Sequence, residues 1–414
     1  MASDKQDKVL NVPTLRFPEF TDEWKECELQ DVASISKGAG VSKDQLSNSG
    51  VPCILYGELY TKYKSEVITE VLSKTEIDTT SLVRSKANDV IIPSSGETAI
   101  DISTARCVPF DNILLGGDLN IIRLREQDGR FFSYQLNGVR KLDIAQIAQG
   151  VSVVHLYGES LKRLIVRYPS RSEQEKISSL LAAVDERITT QSRIIDKLKS
   201  LMQGLNNELM DNPKWKKVYV GDFMEFFPTN SLSWEHLSYD SGQVRNLHYG
   251  LIHSGLPTLV DCQKAHLPYI QVDSLPKQYS ICKDGDVALA DASEDTAEVG
   301  KTVELTNIET QTIVCGLHTI HGRDCKDITV NGFKGFAFNS KYFHDQLRRI
   351  AQGSKVYSIN TDNVRSCYLY IPTIAEQQKI VGLLRCMQEK IRVAEHGLQL
   401  YEAQKQFLLR GLFV

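Results

Sequence analysis

One stretch of this chain occurs twice, and that repetition limits the possible folds more than composition does. Residues 147–188 begin Ile147-Ala148-Gln149-Gly150, pass through Tyr168-Pro169-Ser170 and run into Glu173-Gln174-Glu175-Lys176-Ile177. The same order returns 203 positions later as Ile350-Ala351-Gln352-Gly353, Ile371-Pro372-Thr373 and Glu376-Gln377-Gln378-Lys379-Ile380, with no gap between the copies. A period this long excludes a solenoid. It prescribes two similar halves, each a domain followed by a helix.

Each repeat has a physical reason to open a helix. Ser170 and Thr373 stand three residues before Glu173 and Glu376. At that spacing a hydroxyl and a carboxylate satisfy free N–H groups at a helix start. Apolar positions then step by four and three through Ile177, Leu181, Val184, Ile188, Gln191, Ile195, Leu198, Met202, Leu205 and Leu209. The second copy keeps the register with Ile380, Leu384, Met387, Ile391, Ala394, Leu398, Tyr401, Lys405, Leu408 and Leu412. A repeat of about 3.5 residues held this long marks a coiled-coil seam rather than the wider stripe of a core helix. Helices of roughly 35–40 residues, about 55 Å long at 1.5 Å per residue, are expected. The plainer alternative packs each helix on its own domain. Matching lengths and seams favour pairing, and an antiparallel pair would put the domains at opposite ends of a rod.

The 414 residues suffice for two domains with proper cores plus these helices. No apolar run reaches membrane-spanning length. Met1 to Val12 are charged and polar, without the apolar core of a signal peptide, so a cytoplasmic location is expected. Nine cysteines, an odd number with no Cys-x-x-Cys pair, read as reduced thiols and argue against a zinc site. A formal charge of −4 argues against an indiscriminately basic nucleic-acid binder. It leaves room for local basic patches, because groove binding depends on where the charges sit.

Taken in order, the chain divides into 1–22 as an N-terminal arm, 23–169 as a first domain and 170–212 as a first helix. A second domain over 213–372 and a second helix over 373–414 follow. Pro13 to Phe20 is a Pro-punctuated lead-in, expected to lie extended over the first domain. Trp24-Lys25 with Asp31-Val32 opens the first domain. Trp215-Lys216 with Asp222-Phe223 opens the second, after the helix-stopping Asn212-Pro213. Val51–Tyr56, Asp89–Pro93 and Asn120–Leu124 read as strands, as do Pro268–Val272, Asp286–Ala290 and Gln311–Cys315. Helical patterns cover Phe131–Leu142 and Ser340–Ile350. The expected fold class is α/β, more closely mixed α+β: two similar domains with twisted sheets, related by a pseudo-twofold internal repeat and joined to two long antiparallel coiled-coil helices.

Catalytic motifs are missing. Gly300-Lys301-Thr302 imitates the end of a phosphate loop, but Asp295 stands where that loop needs a glycine. His318 and His321 read as strand residues pointing to opposite faces rather than as metal ligands. No Asn-Pro-Pro-Tyr, Gly-x-Gly-x-x-Gly or Gly-x-Ser-x-Gly occurs. What remains is two polar segments at corresponding strand ends, Ser94-Ser95-Gly96-Glu97-Thr98 and Asp291 to Thr296. Small polar side chains of this kind can read base edges while lysine and arginine hold phosphates. The candidate DNA contacts are Arg84, Lys86, Ser94, Ser95, Thr98 and Arg106, and then Lys283, Ser293, Thr296 and Lys301, each weighed against a solvated turn. Capping accounts for Glu173 and Glu376 but does not require the glutamine and lysine of both copies. Glu173, Gln174, Lys176, Glu376, Gln377 and Lys379 are therefore candidates for a twofold-related docking site.

Two diverged domains alternating with two near-identical helices resemble the specificity subunit of type I restriction-modification systems. The likeness is carried by Pro13–Phe20 with Trp24, Gly285 to Ala290, both Ile-Ala-Gln-Gly segments and both helix starts of the form Pro-[Ser/Thr]…Glu-Gln-x-Lys-Ile. It spans nearly the whole chain. The resemblance implies that each domain is a target-recognition domain reading one half of a bipartite double-stranded DNA target, with the helices as a ruler between the halves. It further implies two docked methyltransferase subunits using S-adenosylmethionine, and restriction subunits using ATP and Mg for cleavage. This chain would hold no cofactor, no metal and no catalytic residue of its own. Two rivals stand beside it: a coiled-coil scaffold whose repeated domains bind only proteins, and an enzyme with an unrecognised active site.

Overall fold

The structure, a computed structural model, describes residues 11–78, 80–296, 298–353 and 355–414. Residues 1–10 of the expected N-terminal arm therefore lie outside the described residues. The chain divides into two compact units, residues 1–192 with 397–414 and residues 193–396. These boundaries cut both long helices, Arg171–Met210 and Ile374–Gly411. Each unit thus holds one domain together with a piece of either helix, rather than a domain followed by a whole helix.

In the first unit an antiparallel sheet has the order Ala33–Lys37, Leu119–Leu124, Asp89–Pro93 and Arg106–Val108. A second sheet runs Leu46–Ser47, Ser73–Thr75, Val51–Ile54 and Leu114–Leu115, its last pair parallel. The second unit repeats the plan. Met224–Phe227, Thr319–Asp324, Val287–Ala290, Thr302–Thr306 and Leu259–Asp261 form one sheet. Leu237–Ser238, Tyr269–Ile270, Val244–Leu247 and Thr312–Cys315 form the other. Mostly antiparallel pairing makes the architecture mixed α+β rather than parallel βαβ. The inner strands Asp89–Pro93 and Val287–Ala290 are buried on both faces, which explains why they read as continuous apolar runs.

Two sequence readings need correction. The pattern over Phe131–Leu142 is two helices, Gly129–Asn137 and Lys141–Ile147, because Gly138 ends the first with ψ −108. His318 is not in a strand. It stands at φ +54, in the left-handed turn just before Thr319–Asp324.

The seams are covered in both units. Ile177, Leu181 and Val184 are buried in the first unit, and Ile195, Ile380, Leu384, Met387 and Ile391 in the second. Ile188, Leu198, Leu205, Leu398 and Leu408 are half-buried. In the first unit the helix pieces run antiparallel, with Asp185 at Lys405 and Gln191 at Gly397. In the second, Lys199 meets Glu395 at 2.7 Å, and Met210 shares a core with Ile380 and Leu384. Among the described residues no helix is long and apolar enough to cross a membrane.

Candidate nucleic-acid interface

Both units are built on the same turn. In the first, Asp89 accepts the N–H of Lys86 at 2.8 Å and receives a two-pronged bond from Arg123 at 2.8 and 2.7 Å. In the second, Asp286 accepts the N–H of Lys283 at 2.8 Å and Arg323 at 2.7 Å on each oxygen. Burial works against the Asp286 carboxylate, but Arg323 and then His321 outweigh it and hold its pKa below the ordinary value. These bonds lock the strand entrance, and Lys86 and Lys283 remain exposed on top.

At the ends of these strands each unit presents a cleft or aromatic cluster on equivalent backbone. In the first unit a cleft of about 750 Å³ is lined by Val41, Ser42, Lys43, Gln45, Tyr56, Glu58, Lys62 and Asp118. Lys43, Gln45 and Asp118 are exposed, and Lys62 pairs with Glu58 at 2.6 Å. The short helix Lys43–Gln45 corresponds to Trp234–His236, since each directly precedes the edge strand of the smaller sheet. The left-handed Asp118, at φ +57, corresponds to His318. The second unit thus carries a ring cluster there: Trp234 and His248 at 4.4 Å between centroids, His248 and Tyr249 at 4.7 Å, and Tyr249 and His318 at 5.2 Å. Trp234 is 45% exposed.

The chemistry of the two surfaces differs. Lysine suits guanine acceptors and a glutamine amide suits adenine, whereas exposed rings wedge or stack against bases. His248 accepts the Gly250 N–H on Nδ1 at 3.1 Å, so its proton sits on Nε2, a buried atom with no partner among the described residues. Burial, and then the charge of His318, depress the His248 pKa and keep the ring neutral.

Several residues expected to touch DNA are engaged elsewhere. Arg106 is buried, and its guanidinium donates to the carbonyls of Tyr63 at 2.7 Å, Leu59 at 3.1 Å and Ala105 at 3.3 Å. Ser94 and Ser95 are buried too, because Ser95–Gly96 pairs with Val154–His155 in a small sheet. Thr98 caps the helix Ala99–Ile102 and bonds Asp101. Ser293 accepts the N–H of Asp295 and lies in a strand paired with Tyr357–Ser358. Lys301 is held by Glu298 at 2.8 Å, and Gly300-Lys301-Thr302 enters a strand, unlike a phosphate loop. Arg84 donates to the Asn112 carbonyl at 3.0 Å, and Thr296 is half-buried. Of the ten, Lys86 and Lys283 fit phosphate contact best.

The helix starts also resolve differently from expectation. Gln174 and Gln377 are fully buried. Gln174 accepts the Asp128 N–H at 3.0 Å and donates to the Pro169 carbonyl at 2.9 Å. Gln377 accepts the Val330 N–H at 2.9 Å and donates to the carbonyls of Ile328 and Pro372 at 2.9 and 3.1 Å. Glu173 is buried under a two-pronged Arg16 bond at 2.8 Å. The paired glutamines thus clamp each helix start to its own domain, and the twofold docking site loses Glu173, Gln174 and Gln377. Lys176 contacts Glu19 and lies over the Phe17 ring at 4.6 Å. Glu376 closes a capping box with Thr373, and Lys379 is exposed.

Lys43, Trp234 and His248 escaped the sequence reading because they stand in short connections without periodicity, while Tyr56 was read as the end of a strand and His318 was weighed only as a metal ligand. Aligning the two copies through the short helices before the smaller sheets would have set Lys43 beside Trp234.

The two units thus set different side chains on equivalent loops of a duplicated α+β frame. Residues 21–200 match the family described as the type I restriction modification DNA specificity domain. It is similar to the S subunit of a type I restriction-modification system from M. genitalium, at 14% identity and TM-score 0.58, covering 97% of this chain and 99% of that one. A second similar structure concerns complex assembly and conformational transition of the type I R-M system, at 14% identity and TM-score 0.57, covering 94% and 97%. These likenesses establish the fold.

Proposed function

We propose that the two units read the two halves of one bipartite double-stranded DNA target, while the long helices fix the spacing between the halves. The observation that carries this reading is the exchange of Lys43, Gln45 and Asp118 for Trp234, His236 and His318 at equivalent loops of a duplicated frame. Equal frames with unequal reading side chains suit an asymmetric target. Readers held at a fixed separation select half-sites a set number of base pairs apart, since major-groove faces recur about every 34–36 Å.

In this reading two methyltransferase subunits dock on the repeated parts and carry S-adenosylmethionine, and restriction subunits carry ATP and Mg. The chain itself supplies no catalysis and works in the cytoplasm. Assembly of that kind accords with the similar structure that concerns complex assembly of the type I R-M system. A net charge of −4 makes a weak DNA binder of the isolated chain, with partners supplying much of the phosphate grip.

The test is genome methylation by this chain with its methyltransferase, read by single-molecule sequencing, followed by exchange of each domain in turn. Adenine methylation at one split motif, each exchange altering only its own half, is the expected result. A motif unchanged after both exchanges removes DNA reading from these domains and restores the scaffold reading.

A further inference from the structure

Three side chains far apart in sequence converge in the core of the second unit. Cys282 Sγ and Cys315 Sγ lie 3.6 Å apart, and a nitrogen of His321 joins them so that all three donor atoms fall within 4.8 Å of one another. Cys282 and Cys315 are each 2% exposed and His321 is 0% exposed. The Nε2 of His321 is bonded to Asp286 Oδ2 at 2.8 Å, which leaves the buried Nδ1, within reach of the Cys282 thiol, as the remaining donor.

The duplicated frame supplies an internal control. Ser85 and Cys282 donate their N–H groups to Ile113 and Ile313. Ile54 pairs with Leu115 as Leu247 pairs with Cys315. Ile91 pairs with Ile121 as Ala288 pairs with His321. The first unit therefore builds the same turn, with the same Asp–Arg pair, on Ser85, Leu115 and Ile121. Nothing in the frame calls for two thiols and an imidazole.

We infer that Cys282, Cys315 and His321 form a buried site for a thiophilic d10 cation, with Asp286 orienting the imidazole. Two thiolates at about 2.3 Å from a tetrahedral zinc ion lie about 3.8 Å apart, close to the observed separation. A carboxylate on the far nitrogen of a ligating histidine fixes its tautomer and raises its basicity. Thiolate and imidazole together select zinc or cuprous copper over hard cations. On binding, the two thiols release their protons, as does Nδ1 where the ring is protonated, and the freed lone pairs take the metal, so no oxidant or reductant is needed. Cys315 and His321 flank the turn that presents His318, so the ion would pin that turn from below.

The test uses the full chain, stripped of metal under reducing conditions and then given Zn²⁺ alone or Cu⁺ alone. About one ion per chain retained through gel filtration, with a rise in melting temperature, is expected for at least one of the two, and the better-retained ion identifies the metal. Cys282→Ser/Cys315→Leu/His321→Ile, which installs the residues of the first unit, should lose both effects, while Cys386→Ser at an exposed thiol should keep them. Should the triple variant not fold, Co²⁺ in the wild-type chain decides. A sulfur-to-cobalt charge-transfer band supports thiolate ligation, and its absence overturns the site. No retained ion, or a Cys282–Cys315 disulfide found by mass spectrometry in the protein as purified, also overturns it.

Discussion

The side-chain carbonyl of Gln174 accepts the backbone N–H of Asp128 at 3.0 Å, tying the start of a 40-residue helix to the loop before Gly129–Asn137. Gln377 does the same for Val330 at 2.9 Å in the second unit. Gln174→Leu and Gln377→Leu each strand a buried N–H and a buried carbonyl, so each should cost about 2–4 kcal/mol in urea unfolding. Hydrogen exchange should localise each loss to its own unit. Unchanged stability with failed methyltransferase assembly would instead make these glutamines docking residues.

Arg106 separates a structural arginine from a phosphate-binding one. Its guanidinium serves three carbonyls in a buried pocket. Arg106→Met should therefore destabilise the first unit by about 2–4 kcal/mol. The dependence of DNA binding on salt by the assembled complex should stay as in wild type, because no released counterion is lost. A shallower salt slope with unchanged stability would return Arg106 to the DNA surface.

The reading surfaces make opposite predictions for the two half-sites. Trp234→Ala, which removes a ring exposed beside His248, should relax or shift only the half read by the second unit. Lys43→Ala should alter only the half read by the first. Discrimination lost at the affected base pair should be about 1–3 kcal/mol, roughly tenfold or more in methylation preference. Sequencing of methylated genomes measures both, and changes in both halves from either variant would refute the assignment.

How far the sequence revealed this molecule follows from which residues had periodic neighbours. The helices Arg171–Met210 and Ile374–Gly411 were legible because their apolar positions recur every three and four residues. Asp89–Pro93 was legible because burial on both faces demands an unbroken apolar run. Ser94 and Ser95 were misread because polarity was taken for exposure. A two-stranded pairing with Val154–His155, more than 50 residues away, buries them. Gln174 and Gln377 recur for a structural reason that only the loops at Asp128 and Val330 disclose. Cys282, Cys315 and His321 lack the short spacing by which metal sites are recognised in sequence, and only the pairing of their strands unites them.

Lys405 gives the chain a pH dependence that can be predicted in sign. It occupies a seam position of the second helix, yet its ammonium contacts Asp185 at 2.7 Å and also Glu66, while Tyr134 donates to Asp185 at 2.7 Å. Burial opposes the ammonium, but Glu66 and Asp185 outweigh it and raise the Lys405 pKa above 10.5. A cation whose pKa is higher folded than unfolded stabilises fully below the unfolded value, and that stability is lost as pH rises through the folded one. Melting temperature should therefore hold up to about pH 10 and fall beyond it. Lys405→Met leaves two buried carboxylates unpaired and should cost about 3–5 kcal/mol at neutral pH. Adding Glu66→Gln and Asp185→Asn should recover part of that loss and flatten the alkaline fall, as read by melting curves between pH 7 and 11. An alkaline fall as steep in the triple variant as in wild type would remove Lys405 as its origin.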